Sequence, residues 1–333
     1  MTPSNGSRTD SRLKVCLVGA GWIGGIHLDA LDRIGRTDLV GVASPRVERA
    51  SALADRHGGR PYDDVVRMLD EERPDVAYVS VPPAYSAATC ERLLERGIPF
   101  LVEKPLAAMD ASGPQKIADR IAESGLVVAV GYHLRALEAM PEVRDRLVTA
   151  PPNLVVARWL EHTPPRAWWW KEELGGGQVI EQATHLYDLA RHLVGEATVV
   201  GAASTRSDPS VPEGADVADA SAAVLRFDSG AVGTFANGRR IAGWLIDITF
   251  ASDGLITTIG RLDEGPGDWT VSFADSSGTR VIPPGRSPYE RQAVVFLDAV
   301  EAGDPDAVLA TYRDALGTDR LTRAVVAATG ERG

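Results

Sequence analysis

The chain has 333 residues, 44% hydrophobic and 24% charged, an ordinary globular composition on a length that exceeds one core, so two domains are the natural expectation. A net charge of −11 argues against nucleic acid or an anionic membrane as a partner, since either would have to bind against a repulsive field. Only Cys16 and Cys90 are present, without CxxC spacing, which excludes a disulfide framework and leaves reduced, structural thiols.

The opening stretch, residues 1–12, is rich in Ser, Thr and Asn and has no apolar core, so it is expected to be a disordered tail and not a targeting leader. No apolar run approaches bilayer length; the longest, around Leu126 to Gly131, is strand-sized, and a cytoplasmic location is expected. From Leu13, short apolar runs alternate with helical periods: LKVCLVGA, GIHLDALDRI, LVGVAS, RVERASALADRHG, DVAYVSV, SAATCERLLERG, PFLVEKPL, QKIADRIAESG and LVVAVGY. Continuous apolar strands separated by helices imply a parallel sheet covered on both faces, hence a doubly wound (Rossmann) α/β domain over 13–132.

After Tyr132 the pattern changes. A helical piece (Leu137 to Leu147) precedes the strand LVVARWLEH, a loop rich in Pro and Trp, and a helix from about Gln178 to Leu193. Then come TVVGAAST, ASAAVLRFD, GAVGTFANG, LIDITFAS, LITTIG, WTVSFAD and TRVIP, strands without intervening helices, which predict an α+β domain with a mostly antiparallel open sheet over 133–333. The last helical stretches, YERQAVVFLDAVEAG and ATYRDALGTDRLTRAVVAA, are expected to pack back on one or both domains. An open sheet face is commonly buried against its own copy, so a homodimer or homotetramer is expected.

Gly19-Ala20-Gly21-Trp22-Ile23-Gly24 follows a strand and opens a helix, the context in which G-x-G-x-x-G denotes a dinucleotide site. Gly19 makes the tight turn, Gly21 admits a pyrophosphate, Gly24 lets helix and strand pack, and Trp22 and Ile23 begin the helix whose N-terminus faces the phosphates. Where an acid usually grips the adenosine ribose, the chain reads Ala43-Ser44-Pro45-Arg46. Without that acid, and with Arg46 and Arg49 nearby, NAD or NADP is expected with NADP favoured, although spacing equally allows the arginines to be solvated helix residues. Pro82, beyond DVAYVSV, and Glu103 are further candidates for the cofactor crevice.

Glu103-Lys104-Pro105 ends a parallel strand at the edge where such sheets bind ligands, so the Lys104 ammonium can meet a substrate hydroxyl or the cofactor ribose; alone, such a pair is more often a solvated salt bridge. Glu181, His185 and Asp188 recur at i, i+4 and i+7, placing two carboxylates on the face of an imidazole, an arrangement that suits general acid/base chemistry. Spacing alone leaves an ordinary surface histidine open. Trp168 and Trp169, in the run Trp168-Trp169-Trp170 before that helix, are candidates to line a sugar cleft, although three consecutive tryptophans cannot all point one way and two of them are expected to serve domain or subunit packing; Tyr132, Arg135 and Asp188 are further candidate substrate contacts. The six histidines, His27, His57, His133, His162, His185 and His192, show no metal-ligand spacing, so no metal is expected.

GAGWIG, Glu103-Lys104-Pro105 and GGGQVIEQATHLYD (Gly175 to Asp188), in that order, resemble the glucose-fructose oxidoreductase, inositol dehydrogenase and MocA (Gfo/Idh/MocA) family, with similarity across nearly the whole chain after the tail. The resemblance implies an NAD(P)-dependent oxidoreductase acting on a secondary hydroxyl or ketone of a sugar, cyclitol or amino sugar, with Lys104 catalytic and His185 the acid/base group. Family members often carry Asp where this chain has Glu181, a longer stem that shifts the pocket. Two other readings stay open: a same-fold enzyme that oxidises its substrate only transiently in a non-redox reaction, and a dinucleotide-sensing protein, against which Lys104 and His185 argue because a sensor needs no acid/base pair.

Overall fold

The computed structural model describes residues 12–261 and 268–330. Apart from Arg12, the expected N-terminal tail therefore lies outside the described residues. No helix among the described residues is long and apolar enough to cross a membrane.

The first half of the chain forms β1 (Leu13–Val18), α1 (Trp22–Ile34), β2 (Thr37–Ala43), α2 (Val47–His57), β3 (Arg60–Tyr62), α3 (Val65–Glu72), β4 (Val76–Val79), α4 (Ser86–Leu94), β5 (Phe100–Val102), α5 (Ser112–Ser124) and β6 (Val128–Val130). The strands pair in parallel in the order β3-β2-β1-β4-β5-β6, so the order reverses beside β1 and opens a crevice between the carboxyl ends of β1 and β4. The strands read as unbroken apolar runs because both faces are covered: Cys16 and Val18 enter one core, Val15 and Leu17 the other. Two elements are absent from the periodicity argument. β3 is a three-residue edge strand containing Pro61, and α3 is a short amphipathic helix of about two turns burying Met68 and Leu69, capped by Asp64, which accepts from the Arg67 amide at 2.7 Å.

The second half contains α6 (Met140–Thr149), β7 (Leu154–His162), α7 (Glu172–Gly175), α8 (Gly177–Glu181), α9 (Thr184–Val194), β8 (Ala197–Thr205), β9 (Ala220–Phe227), β10 (Val232–Gly238), β11 (Arg240–Ser252), β12 (Leu255–Arg261), β13 (Trp269–Asp275), β14 (Gly278–Ile282), α10 (Pro288–Ala302) and α11 (Tyr312–Ala328). Its sheet runs β14-β13-β12-β11-β7-β10-β9-β8, antiparallel except where β10 lies parallel to β7. On the inner face Val155, Ala157, Trp159, Leu225, Phe235, Ile248 and Phe250 pack against α6 and α9. The outer face carries Leu154, Val224, Val232, Leu245 and Ile256, all exposed.

The C-terminal helices serve both halves. Phe296 and Leu297 of α10 fill the core on the β1/β2 face of the first sheet, beside Leu28 of α1. Tyr312, Ala315 and Leu316 of α11 fill the opposite face, while Leu321 and Val325 of the same helix enter the second core.

Candidate active site

At the crevice the glycine turn has the dimensions a dinucleotide needs. Gly19 has φ +103°, and a Cβ there would stand 2.4 Å from the Ser80 carbonyl oxygen; a Cβ on Gly24 would stand 2.6 Å from the Gly19 carbonyl oxygen. The turn is thus drawn tightly onto β4, an approach also held by the Ser80 hydroxyl, which donates to the Gly19 carbonyl at 2.7 Å. Above Gly21, by contrast, nothing lies within 4 Å. Gly21 caps α1 without a side-chain bond, and the first turn carries no acid, so its amides face open space ready for an anion. Trp22 is 58% exposed beside this seat, Ile23 follows it in the helix, and Pro82 starts the turn after β4. Ser44 ends buried beyond β2, its hydroxyl accepting from the Arg46 amide at 3.2 Å; Arg46 and Arg49 are exposed and enter no ion pair among the described residues.

The reacting groups gather one strand further on. Lys104 follows β5 and is joined to Pro105 by a cis peptide bond. Its Nζ donates to the main-chain carbonyl of Glu181 at 2.7 Å and to the Glu181 carboxylate at 3.2 Å. The carbonyl is available because the predicted single helix is broken: α8 ends at Glu181 and α9 starts at Thr184. In a continuous helix the His185 amide would take the Glu181 carbonyl, but here it turns to Gln182, and Lys104 takes the freed acceptor. The other Glu181 carboxylate oxygen accepts from the Trp169 indole at 3.1 Å.

His185 is buried, stacked on Trp159 at 5.7 Å between centroids and met edge-on by His133 at 4.5 Å and Tyr132 at 6.0 Å. Its Nδ1 is sealed without a partner, which leaves Nε2 as the nitrogen open to a reactant. Burial first, then the charge of Lys104, holds the imidazole neutral by pushing its pKa well below the usual histidine range. Among the described residues no carboxylate orients it. The helix-face argument put Glu181 or Asp188 beside the imidazole, but the break turns Glu181 to Lys104 and Trp169, and Asp188 is taken by Arg135.

The remaining sequence candidates divide. Glu103 is buried, its carboxylate 2.8 Å from His27 Nε2 and accepting from the Lys104 amide at 3.1 Å, so it braces the lysine from below. Arg135 and Asp188 form a buried bidentate pair at 2.8 and 2.5 Å, and the Tyr132 hydroxyl meets Thr184 at 3.0 Å; all three are spent on protein contacts instead of facing a cleft. Trp169 is wholly buried, its indole fixing Glu181, whereas Trp168 is half-buried against Gly175. Residues passed over in the sequence also pack around His185 and its stacking partner Trp159. His133 lies stacked on Tyr289 of α10 at 4.5 Å, and burial lowers its pKa to about 3. Glu161, at the end of β7, accepts from the Trp159 indole at 2.9 Å, and burial raises its pKa. The inward alternation of β7 could have pointed to Glu161; nothing local could have brought Tyr289 to His133.

A phosphate seat at the reversal of a parallel sheet, with a part-buried lysine and a neutral imidazole one strand away, defines a dinucleotide-dependent oxidoreductase. Comparison with known proteins supplies the family: residues 13–132 match the oxidoreductase family with an NAD-binding Rossmann fold, and residues 151–251 match the GFO/IDH/MocA C-terminal domain, so the chain belongs to the Gfo/Idh/MocA family. Its cofactor is NAD or NADP. The rhizopine catabolism protein MocA of Rhizobium meliloti is 25% identical over 96% of this chain and 98% of its own length. D-glucoside 3-dehydrogenase of Escherichia coli is 29% identical over 56% of this chain and 55% of its own. Among solved structures, KijD10, a 3-ketoreductase from Actinomadura kijaniata in complex with NADP, shares the fold at TM-score 0.83 and 20% identity, covering 96% of this chain and 98% of its own.

Proposed function

We propose that the protein is a cytoplasmic NAD(P)-dependent dehydrogenase that interconverts a secondary hydroxyl and a ketone on a sugar, cyclitol or amino sugar. The observation that carries this reading is the Lys104 ammonium held by the Glu181 carbonyl and carboxylate beside the neutral His185. Gly19, Gly21, Gly24 and the first amides of α1 fit the pyrophosphate, and Ser44 with Arg46 and Arg49 suits the extra phosphate of NADP. Bound there, the nicotinamide supplies hydride transfer. His185 Nε2 removes the hydroxyl proton as the ketone forms and returns it in the reverse direction. Lys104 hydrogen-bonds the same oxygen and stabilises its developing negative charge, while Glu181 fixes the ammonium. The buried walls, Trp159, His133 and Tyr132, keep water from the imidazole. The names of the relatives support the substrate class: MocA, a glucoside 3-dehydrogenase, and the myo-inositol 2-dehydrogenase of Thermotoga maritima, 22% identical over 89% of this chain. The apolar outer sheet face supports a homodimer or homotetramer.

The test is a panel of sugars, polyols, sugar nucleotides and aminocyclitols assayed with NAD and NADP by nicotinamide absorbance. Net cofactor reduction or oxidation is expected with at least one of them. His185→Ala and Lys104→Ala should each lower kcat by about 10²- to 10⁴-fold with dinucleotide affinity nearly unchanged. Product formation with no net change in cofactor absorbance would overturn the reading in favour of transient oxidation, and unaltered kcat in both variants would remove these residues from the chemistry.

A further inference from the structure

The chain between β7 and α8 crosses from the second half of the molecule to the glycine turn of the first. Arg166 on this strap places its guanidinium carbon 5.8 Å from the ring centre of Trp22, the residue that follows Gly21. Farther along, α7 packs against the turn Pro83–Tyr85, on the other side of the same crevice. The strap is firmly built at its far end. The Glu172 amide donates to Asp216 at 2.7 Å, the Asp216 amide donates to the Trp170 carbonyl at 3.2 Å, and Trp170 lies 4.8 Å under the buried Arg239 guanidinium, itself paired with Asp219. Trp169, between them, holds Glu181.

Against this rigid frame Arg166 is conspicuous. It is half-buried and enters no ion pair with any described acid, and its guanidinium lies over the face of a 58% exposed indole. The seat next to it has an opposite deficit: open space above Gly21, unbonded helix amides and no side-chain cation from the turn itself. Resting on the dinucleotide reading above, we infer that Arg166 is the cofactor's pyrophosphate clamp, a cation delivered by the second domain that leaves the Trp22 face to bond the phosphate oxygens. Guanidinium suits this role because its planar donors bond two phosphate oxygens at once, while an exposed contact with an indole is weak enough to exchange for them. The same strap fixes Glu181 and through it Lys104, so phosphate capture at one end steadies the proton-handling pair at the other.

The experiment is equilibrium binding of NADP, NAD and adenosine 2′-monophosphate to the wild-type protein, Arg166→Ala and Arg166→Lys, by calorimetry. Arg166→Ala should weaken both dinucleotides by about 10- to 100-fold, the range for losing charge-assisted hydrogen bonds, and leave the monophosphate, which has no pyrophosphate, within about twofold. Arg166→Lys should fall between, and the melting temperature without ligand should barely move. Unchanged dinucleotide affinity in Arg166→Ala overturns the inference, as does an equal loss for the monophosphate. A wild-type protein that binds neither dinucleotide overturns the functional reading, and this inference with it.

Discussion

Asp188, three residues after His185, and its partner Arg135 were both substrate candidates, yet the structure argues that they hold the fold and do not read the substrate. Both Asp188 oxygens are engaged: Oδ1 by Arg135 at 2.5 Å and the Thr318 hydroxyl at 3.1 Å, Oδ2 by Arg135 at 2.8 Å, with the side chain only 1% exposed. Removing one partner from such a buried pair costs about 3–5 kcal/mol, because the other charge is stranded. Asp314 also lies 2.6 Å from Arg135, so part of the compensation survives and Asp188→Asn should fall at the low end, about 3 kcal/mol. In a chain of 333 residues, at about 2.1 cal/mol/K of unfolding entropy per residue, that corresponds to a drop of about 4 °C in Tm. Calorimetry and steady-state kinetics on the same preparation separate the two roles, the structural one predicting a lower Tm with KM unchanged in the folded fraction. The paired variant Asp188→Leu with Arg135→Met, which removes both buried charges and leaves only the partly exposed Asp314, should recover much of the loss. A wild-type Tm with a tenfold higher KM in Asp188→Asn would refute the reasoning and return both residues to the substrate.

Acid should weaken the fold through His133. Unfolded, it gains a proton as pH falls through about 6.5, but folded it stays neutral to about 3, so between these values the unfolded state holds more protons and stability falls with pH. His133→Gln should therefore flatten the loss between pH 6.5 and 5 by about 2 kcal/mol in urea titrations, and an unchanged slope would contradict it. Gly24→Ala forces a Cβ to within 2.6 Å of the Gly19 carbonyl; expected are a destabilisation of about 1–3 kcal/mol and loss of dinucleotide binding, measured by calorimetry, with normal binding the contrary result. Val224→Lys, on the exposed outer sheet face, should dissociate the proposed homo-oligomer in light scattering and leave the monomer's far-UV spectrum intact; an unchanged mass would exclude that face as the interface.

What the sequence disclosed was what is decided locally. The glycine turn, Lys104 at a strand end and the strands of both sheets are written in runs of a few residues, because turn geometry and burial on one or two faces act at that range. The parallel pairing of β10 with β7 was not legible: these strands are separated by α7, α8 and α9 and by two other strands, and alternation records which face is buried but not which neighbour hydrogen-bonds. Nor was the break after Glu181, since the apolar positions keep helical spacing straight through it and only Lys104, 77 residues away, reveals why the freed carbonyl is tolerated. The same limit explains the substrate candidates. A polar or aromatic side chain near a reactive motif has one signature whether protein or substrate covers it, so Tyr132, Arg135, Asp188 and Trp169 read as cleft residues until Thr184, Thr318, Asp314 and Glu181 are seen holding them. Glu161 and Arg166 show the converse: each sits in an unremarkable stretch, and each acquires meaning only from what the tertiary fold sets beside it, a Trp159 indole in one case and a phosphate seat in the other.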